Sequence, residues 1–295
     1  MSVSIRKALA VVATAAVAFT MAACSNSTNA GTSSSTDAPT GTTITAPATV
    51  AADGVLSVGV DATYPPNESV AADGKTVEGM DIDLVTEVAK RMGLTVKWTK
   101  AGFDSIIPGI QSGKYEMGAS SFTDNPEREK VVDFVTYYSA GTSWVAKTGA
   151  TITPDTACGM TVAVQQGTVQ VDDANARSKT CTTAGKSAIT IKPFEAQTDA
   201  TLAVSNGKAD AFLADTPVAI DAATKSNGVL ALVGSVYDTA PYGFALPKNV
   251  PGLATAVQSA VNAMMADGTY MTILKKWGAQ AGAVTTSVIN AAAAK

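Results

Sequence analysis

From residue 55 onward, short apolar runs alternate with stretches whose apolar positions follow helical spacing. VLSVGV (55–60) reads as a buried strand, and Leu84, Val85, Val88, Ala89 and Met92 recur on one helical face behind Asp81 as N-cap, with Gly93 as the stop. LTVKW (94–98) alternates as a strand, 105–112 as a short helix ended by Gly113, and YEMGASS (115–121) as the next strand. This β-α-β-α-β opening predicts an α/β domain with a mainly parallel sheet. After 137–141 the rhythm restarts with TSWVAK, MTVAVQ, a helix near 169–178, TIKPF, a helix near 198–206 and ADAFLAD. YGFALP (242–247), a helix near 253–266, an Asp267-Gly268 turn and a last helix closed by Gly278 follow, and 283–295 reads as a weakly structured tail. The pattern predicts two α/β lobes with a cleft where strand ends meet helix starts.

The 295 residues are enough for two such cores, and a charged fraction of 16% against 46% hydrophobic is that of a folded chain. A formal charge of −4, with no clustered Lys/Arg face, argues against a nucleic-acid partner. The chain has no histidine, which excludes Ser-His-Asp and Cys-His nucleophilic sites and His-ligated zinc. A carboxylate- or lysine-based enzyme, or a binding protein, remains; no metal or cofactor is called for.

Before residue 54 the sequence reads as address and tether. Arg6 and Lys7 precede an apolar run of 8–21, too short to span a bilayer, followed by Ala22-Ala23-Cys24. This resembles a bacterial lipoprotein signal (1–23), in which cleavage precedes the cysteine and the Cys24 thiol takes a lipid. An ordinary signal with an incidental cysteine is the alternative, and Met21 stands where leucine is usual. The Ser/Thr/Ala-rich 24–53 reads as a flexible spacer, so the folded part is expected outside the membrane, anchored to its outer face. In an exported protein the remaining pair, Cys158 and Cys181, is most simply a disulfide, worth roughly 3 kcal/mol by the chain-entropy argument; two free thiols are the alternative.

Four constellations lie just past strand ends. In SSFTDNPER (120–128), the hydroxyls of Ser120, Ser121 and Thr123 lead to Asn125 as helix cap and Pro126 in the first turn, with Arg128 beside the helix start. That suits a carboxylate, although Arg128 could equally sit on a solvated charged face. In QQGTVQ (165–170), Gln165 precedes a Gly-Thr joint where Thr168, Val169 and Gln170 open a helix: an anion site or a plain structural joint. Asp215 in LADTP either meets a ligand ammonium or caps a helix containing Pro217. Asp61 in DATYPP caps or binds, and Tyr64 and Phe103 either wall a ligand or pack.

Taken in order, DATYPP (61–66), GMDIDLVTEVAKRMG (79–93), FDSIIPGIQSGKYEMGASS (103–121), TDNPER (123–128), VDF (132–134), QQGT (165–168), GKADAFLADTP (207–217) and DGTYMTILKKWG (267–278) resemble the extracytoplasmic solute-binding proteins of polar amino-acid ABC importers. The resemblance covers about 54–280. It implies a type II periplasmic-binding fold, with lobe 1 from 54–138 and 242–282, lobe 2 from 139–241, and hinge crossings near 137–141 and 238–242. It also implies a monomer that binds an amino acid and delivers it to membrane permease subunits. Position by position, Arg128 would hold the ligand carboxylate with the 168–170 helix start. Thr123, the Ser121 carbonyl and Asp215 would receive the ammonium. Tyr64 and Phe103 would sandwich the ligand, with Asp61 and Gln165 at its side chain.

The sequence departs from the family pattern at Asp124-Asn125, where Ile-Thr is common, and at Asn67, where Phe is common. Gln165 replaces the lysine of the glutamine-binding relative. Gln165 and Asn67 favour a polar neutral or acidic ligand side chain. A carboxylate-using dehydratase on the same fold, working through Asp61, Asp124 or Asp215, and a sensory amino-acid-binding lipoprotein are the alternative readings.

Overall fold

The structure is a computed structural model that describes residues 44–292. The signal segment, Cys24 and most of the spacer lie outside the described residues. A short helix α1 (Ala48–Ala51) leads into β1 (Val55–Val60), then a small antiparallel sheet of β2 (Thr63–Tyr64), β3 (Glu68–Val70) and β4 (Val77–Glu78). Next come α2 (Met80–Arg91), β5 (Thr95–Lys100), α3 (Phe103–Gln111), β6 (Met117–Gly118) and α4 (Pro126–Glu129). A 15-residue strand, β7 (Asp133–Lys147), carries the chain into β8 (Thr161–Gln165), α5 (Val169–Thr183), β9 (Thr190–Phe194), α6 (Gln197–Ser205), β10 (Ala211–Asp215) and α7 (Thr216–Lys225). The 17-residue β11 (Leu230–Leu246) brings it back to α8 (Leu253–Ala266) and α9 (Thr269–Lys276).

The large sheet has the order β5-β1-β6-β11-β7-β10-β8-β9. Its middle pair, β7 and β11, is antiparallel and belongs to both lobes: Phe244 pairs with Val135 at one end, and Leu232 with Val145 at the other. The ladder is irregular between Val233 and Tyr237, between Tyr237 and Ala240, and between Tyr242 and Gly243. These are the two crossings of a two-lobed fold, near the positions expected from sequence. On either side the outer strands are parallel; β8 and β10 are buried almost throughout, as strands covered on both faces must be, while the edge strands β5 and β9 keep exposed positions. In lobe 2, Trp144 and Ala146 of β7 join the core under α5, while Val145 faces the core under α6 and α7. Cys158 and Cys181 form a disulfide at the edge of the α5 core.

Four local expectations change. Asp81 is not the cap of α2; Gly79 is, at φ 144°, and a Cβ there would lie 2.0 Å from the Asn67 carbonyl oxygen. The strand expected over 115–121 keeps only Met117 and Gly118, because the chain leaves the ladder and Ser121 adopts a left-handed φ of 51°. The spacer ends earlier than residue 53: Ala46 and Val50 are buried in the lobe 1 core, so the apolar side chains of its last turn anchor it. The 283–292 stretch is no loose tail. It lies along β7 through bridges Tyr138–Ala283 and Val135–Ile289, with Val288 and Thr136 exchanging two hydrogen bonds. Apolar Ile289 and the side-chain bonds of Asn290 hold it there.

Candidate functional site

All twelve residues singled out from the sequence border one narrow cavity between the lobes. Asp61 follows β1, Phe103 opens α3, and Ser120, Ser121 and Thr123 follow β6. From lobe 2, Gln165 ends β8, Thr168 to Gln170 open α5, and Asp215 ends β10. The cleft is therefore built at the carboxyl ends of strands, where α/β sheets form crevices.

Arg128 is the cationic group of the cavity. Its backbone N–H donates to Asn125 Oδ1 at 2.9 Å, so the expected Asn-Pro helix cap forms, although α4 is only four residues long. The guanidinium donates to Thr123 O at 2.8 Å and, across the cleft, to Gly167 O at 3.0 Å. It also lies over the stacked rings of Phe103 and Phe122, 5.4 and 5.5 Å from their centroids. Among the described residues it makes no ion pair with a carboxylate. Burial lowers its pKa to about 10, which still leaves it charged at neutral pH. A half-buried cation with no carboxylate partner, set on an aromatic floor, is a receptor for an anion.

Two carboxylates share the cavity. Asp215 is buried, and burial raises its pKa; Tyr64 Oη donates to its Oδ2 at 3.0 Å and Gln170 Nε2 to its Oδ1 at 2.7 Å. The helix-cap reading of Asp215 fails at the side chain, which makes no capping bond to α7. Asp61 is 4% exposed and accepts from Gln165 Nε2, while its backbone N–H donates to Ser120 Oγ. Burial pushes its pKa up to about 6, and nearby Glu195 adds to the rise. Thr168 does not cap α5 with its hydroxyl, which donates to Gln165 O at 2.7 Å; α5 still directs its first amides toward the cleft end of the strand. Tyr64 is more than a wall: it crosses from lobe 1 into the lobe 2 core, and its hydroxyl oxygen also accepts from Asp215 N.

Beneath the cavity lies an acidic layer that sequence reasoning missed. Asp81 Oδ2 accepts from Ser121 N at 2.8 Å and Tyr137 Oη at 2.6 Å, while Glu68 accepts from the hydroxyls of Ser120 and Ser121. Both acids are fully buried; burial and their mutual repulsion hold Glu68 protonated far above its ordinary range, and burial raises Asp81 as well. The signal was present: Asp81 lies three and four residues before Leu84 and Val85, on the apolar stripe of α2, where a solvated cap would not be. Asn67 belongs to this layer too, donating to Ser121 Oγ and standing outside the cavity lining.

Residues 56–280 match the family model of the bacterial extracellular solute-binding proteins, family 3. The arginine-binding protein ArgT of Corynebacterium glutamicum is 39% identical over 244 residues, covering 82% of this chain and 80% of its own. Among solved structures, an ancestral arginine-binding protein bound to arginine superposes with a TM-score of 0.70 at 33% identity, covering 76% of this chain and 98% of that one. The ancestral amino acid-binding protein AncCDT-1, a precursor of cyclohexadienyl dehydratase, gives 0.71 at 32%, covering 78% and 97%. With the two-lobed sheet, its paired crossings and a cleft at the strand ends, the chain belongs to the bacterial extracellular solute-binding proteins, family 3.

Proposed function

We propose that the protein captures a cationic L-amino acid, arginine foremost, outside the membrane and delivers it to an ABC permease. The observation that carries this reading is the charge inventory of the cavity: Asp61 and Asp215 against Arg128 alone. A zwitterion with a neutral side chain would leave one buried carboxylate uncompensated; arginine, with one extra positive charge, pairs all three groups. Several of the similar proteins, ArgT among them, are named for arginine. This replaces the neutral or acidic preference first inferred, since Asn67 lies outside the cavity and Gln165 is engaged with Asp61.

In this reading Arg128 takes the α-carboxylate, helped by the opening amides of α5. Asp215 and Thr123 receive the α-ammonium, and Asp61 takes the guanidinium beside Phe103. Each charge-assisted contact is worth about 1.5–3 kcal/mol. Several of them, less the cost of immobilisation, reach about 8 kcal/mol, a micromolar complex. A ligand that bonds both lobes favours their closed arrangement, which the permease recognises. Cys24 would keep the protein at the membrane surface as a lipoprotein; mass spectrometry of the N-terminal peptide tests that attachment.

Calorimetric titration with the twenty amino acids, alongside Arg128→Ala, tests the assignment. Arginine is expected to bind tightest, and the variant to lose at least about tenfold in affinity. Equal affinity for parent and variant refutes the role of Arg128. Turnover of a bound ligand would replace the binding reading with the enzymatic one.

A further inference from the structure

Asp124 and Glu129 flank Arg128 in the chain, and both are fastened to its C-terminal segment. Asp124 Oδ2 accepts from Ala291 N at 2.8 Å and Glu129 Oε1 from Ala292 N at 2.9 Å. Asp124 N–H donates to Pro241 O of the returning crossing strand. One residue earlier in that segment, Asn290 accepts from Phe134 N and donates to Asp133 Oδ1. Thus Thr123 and Asn125, which hold the guanidinium and the backbone of Arg128, are separated by a 2% exposed carboxylate tied to the C-terminal segment and to the hinge.

We propose that residues 290–292, together with Asp124 and Glu129, form a clasp that positions Arg128 for the ligand carboxylate. The proposal rests on the reading that Arg128 receives that carboxylate. Asp124 Oδ1 is buried without an N–H or O–H donor, and the Glu129 carboxyl lies within hydrogen-bonding reach of Asp124. One proton shared by the two acids completes the clasp; burial, then the Glu129 carboxyl, raises Asp124 to about 7. The other charges around it do not compete for that proton. Asp133 is engaged by Lys248 and Asn290, Glu127 pairs outward with Lys130, and the Arg128 guanidinium points to Thr123 and Gly167. Because the acid is protonated below its raised pKa, the clasp is whole at mildly acidic pH. It loosens as pH rises through about 7, when two adjacent carboxylates repel.

The test is arginine binding to the full chain, and to Asp124→Asn and Glu129→Gln, by calorimetry near pH 6 and near pH 8.5. Asp61 sheds its own proton over the same range and favours arginine at the higher pH in every variant. The clasp is therefore read as a ratio: from the lower to the higher pH the parent should lose about fivefold in affinity relative to Asp124→Asn, which keeps an acceptor for Ala291 N and donates permanently to Glu129. A chain ending at Asn290 should bind more weakly than the parent at both values while keeping its circular dichroism. Identical pH profiles for the parent and both acid variants, or parent-like affinity in the shortened chain, would overturn the clasp. Parent-like affinity in Arg128→Ala would instead overturn the carboxylate assignment beneath it. If Asp124→Asn does not fold, Glu129→Gln carries the same comparison.

Discussion

Asp61→Asn separates the charge of the cleft from its shape. The side chain is nearly isosteric, and Asn Oδ1 can still accept from Gln165 Nε2, so the contacts around position 61 survive. What disappears is the carboxylate proposed to meet the ligand guanidinium. A charge-assisted hydrogen bond contributes about 1.5–3 kcal/mol, or about 10- to 150-fold in affinity. Citrulline, the neutral isostere of arginine, supplies the control: the parent should prefer arginine by that factor, and the variant should show almost no preference. Stability should move the other way. Burial raises the Asp61 pKa from 3.8 to about 6, so the folded protein holds a proton there that the unfolded chain has released. Stability from this group is complete below the unfolded value and falls as pH climbs toward 6, by roughly 3 kcal/mol as an upper estimate. At pH above 6 the ligand-free variant should therefore melt higher than the parent, and the gap should close near pH 4. Calorimetry with both ligands and thermal melts at both pH values make the measurement. If Asp61→Asn keeps the full preference for arginine over citrulline, Asp61 does not read the side chain and the charge argument fails.

Two further outcomes follow from the scaffold. Cys158→Ser with Cys181→Ser should lower stability by roughly 3 kcal/mol in chemical denaturation while leaving arginine affinity within about twofold, since the disulfide lies in the lobe 2 core away from the cavity. Gly79→Ala should cost about 3 kcal/mol or more, seen as a drop in Tm, because its Cβ would meet the Asn67 carbonyl at 2.0 Å and the backbone of Glu68 at 2.8 Å; a neutral result would mean that the α2 cap shifts freely.

Most strands and helices of both lobes were legible because their core faces repeat an apolar period, as in Leu56 and Val58 of β1 or Trp144 and Ala146 of β7; the short β2–β4 sheet and the 230–241 part of β11 were not read as strands. The cavity was legible because its residues lie just past strand ends and match, in order, the motifs of the family the sequence resembles. Three further features were not. Asp81 was read as a cap because an acid before a helix usually serves that purpose; only tertiary burial, with Tyr137 and Ser121 as donors, turns it inward. The 283–292 segment carries little local signal, and its order comes from backbone bonds to β7 that no periodicity announces. The polar Asp124-Asn125 departure gained a meaning only when Ala291 was found against it.

In the proposed reading, specificity and closure draw on the same atoms. Across the cleft Tyr64 bonds Asp215, Gln165 bonds Asp61, and Arg128 bonds the Gly167 carbonyl. The groups proposed to read the ligand thus already have partners from the opposite lobe. A ligand gains by entering only where it offers each group a stronger partner than the one displaced. Carboxylate for carbonyl at Arg128, and cation for neutral amide at Asp61, are such exchanges; a hydroxyl or amide side chain at Asp61 merely replaces one neutral donor with another. On that reading, discrimination against neutral amino acids would need no clash. It follows from cross-lobe bonds that a weaker ligand cannot improve upon, so such a ligand would also shift the lobes less toward closure.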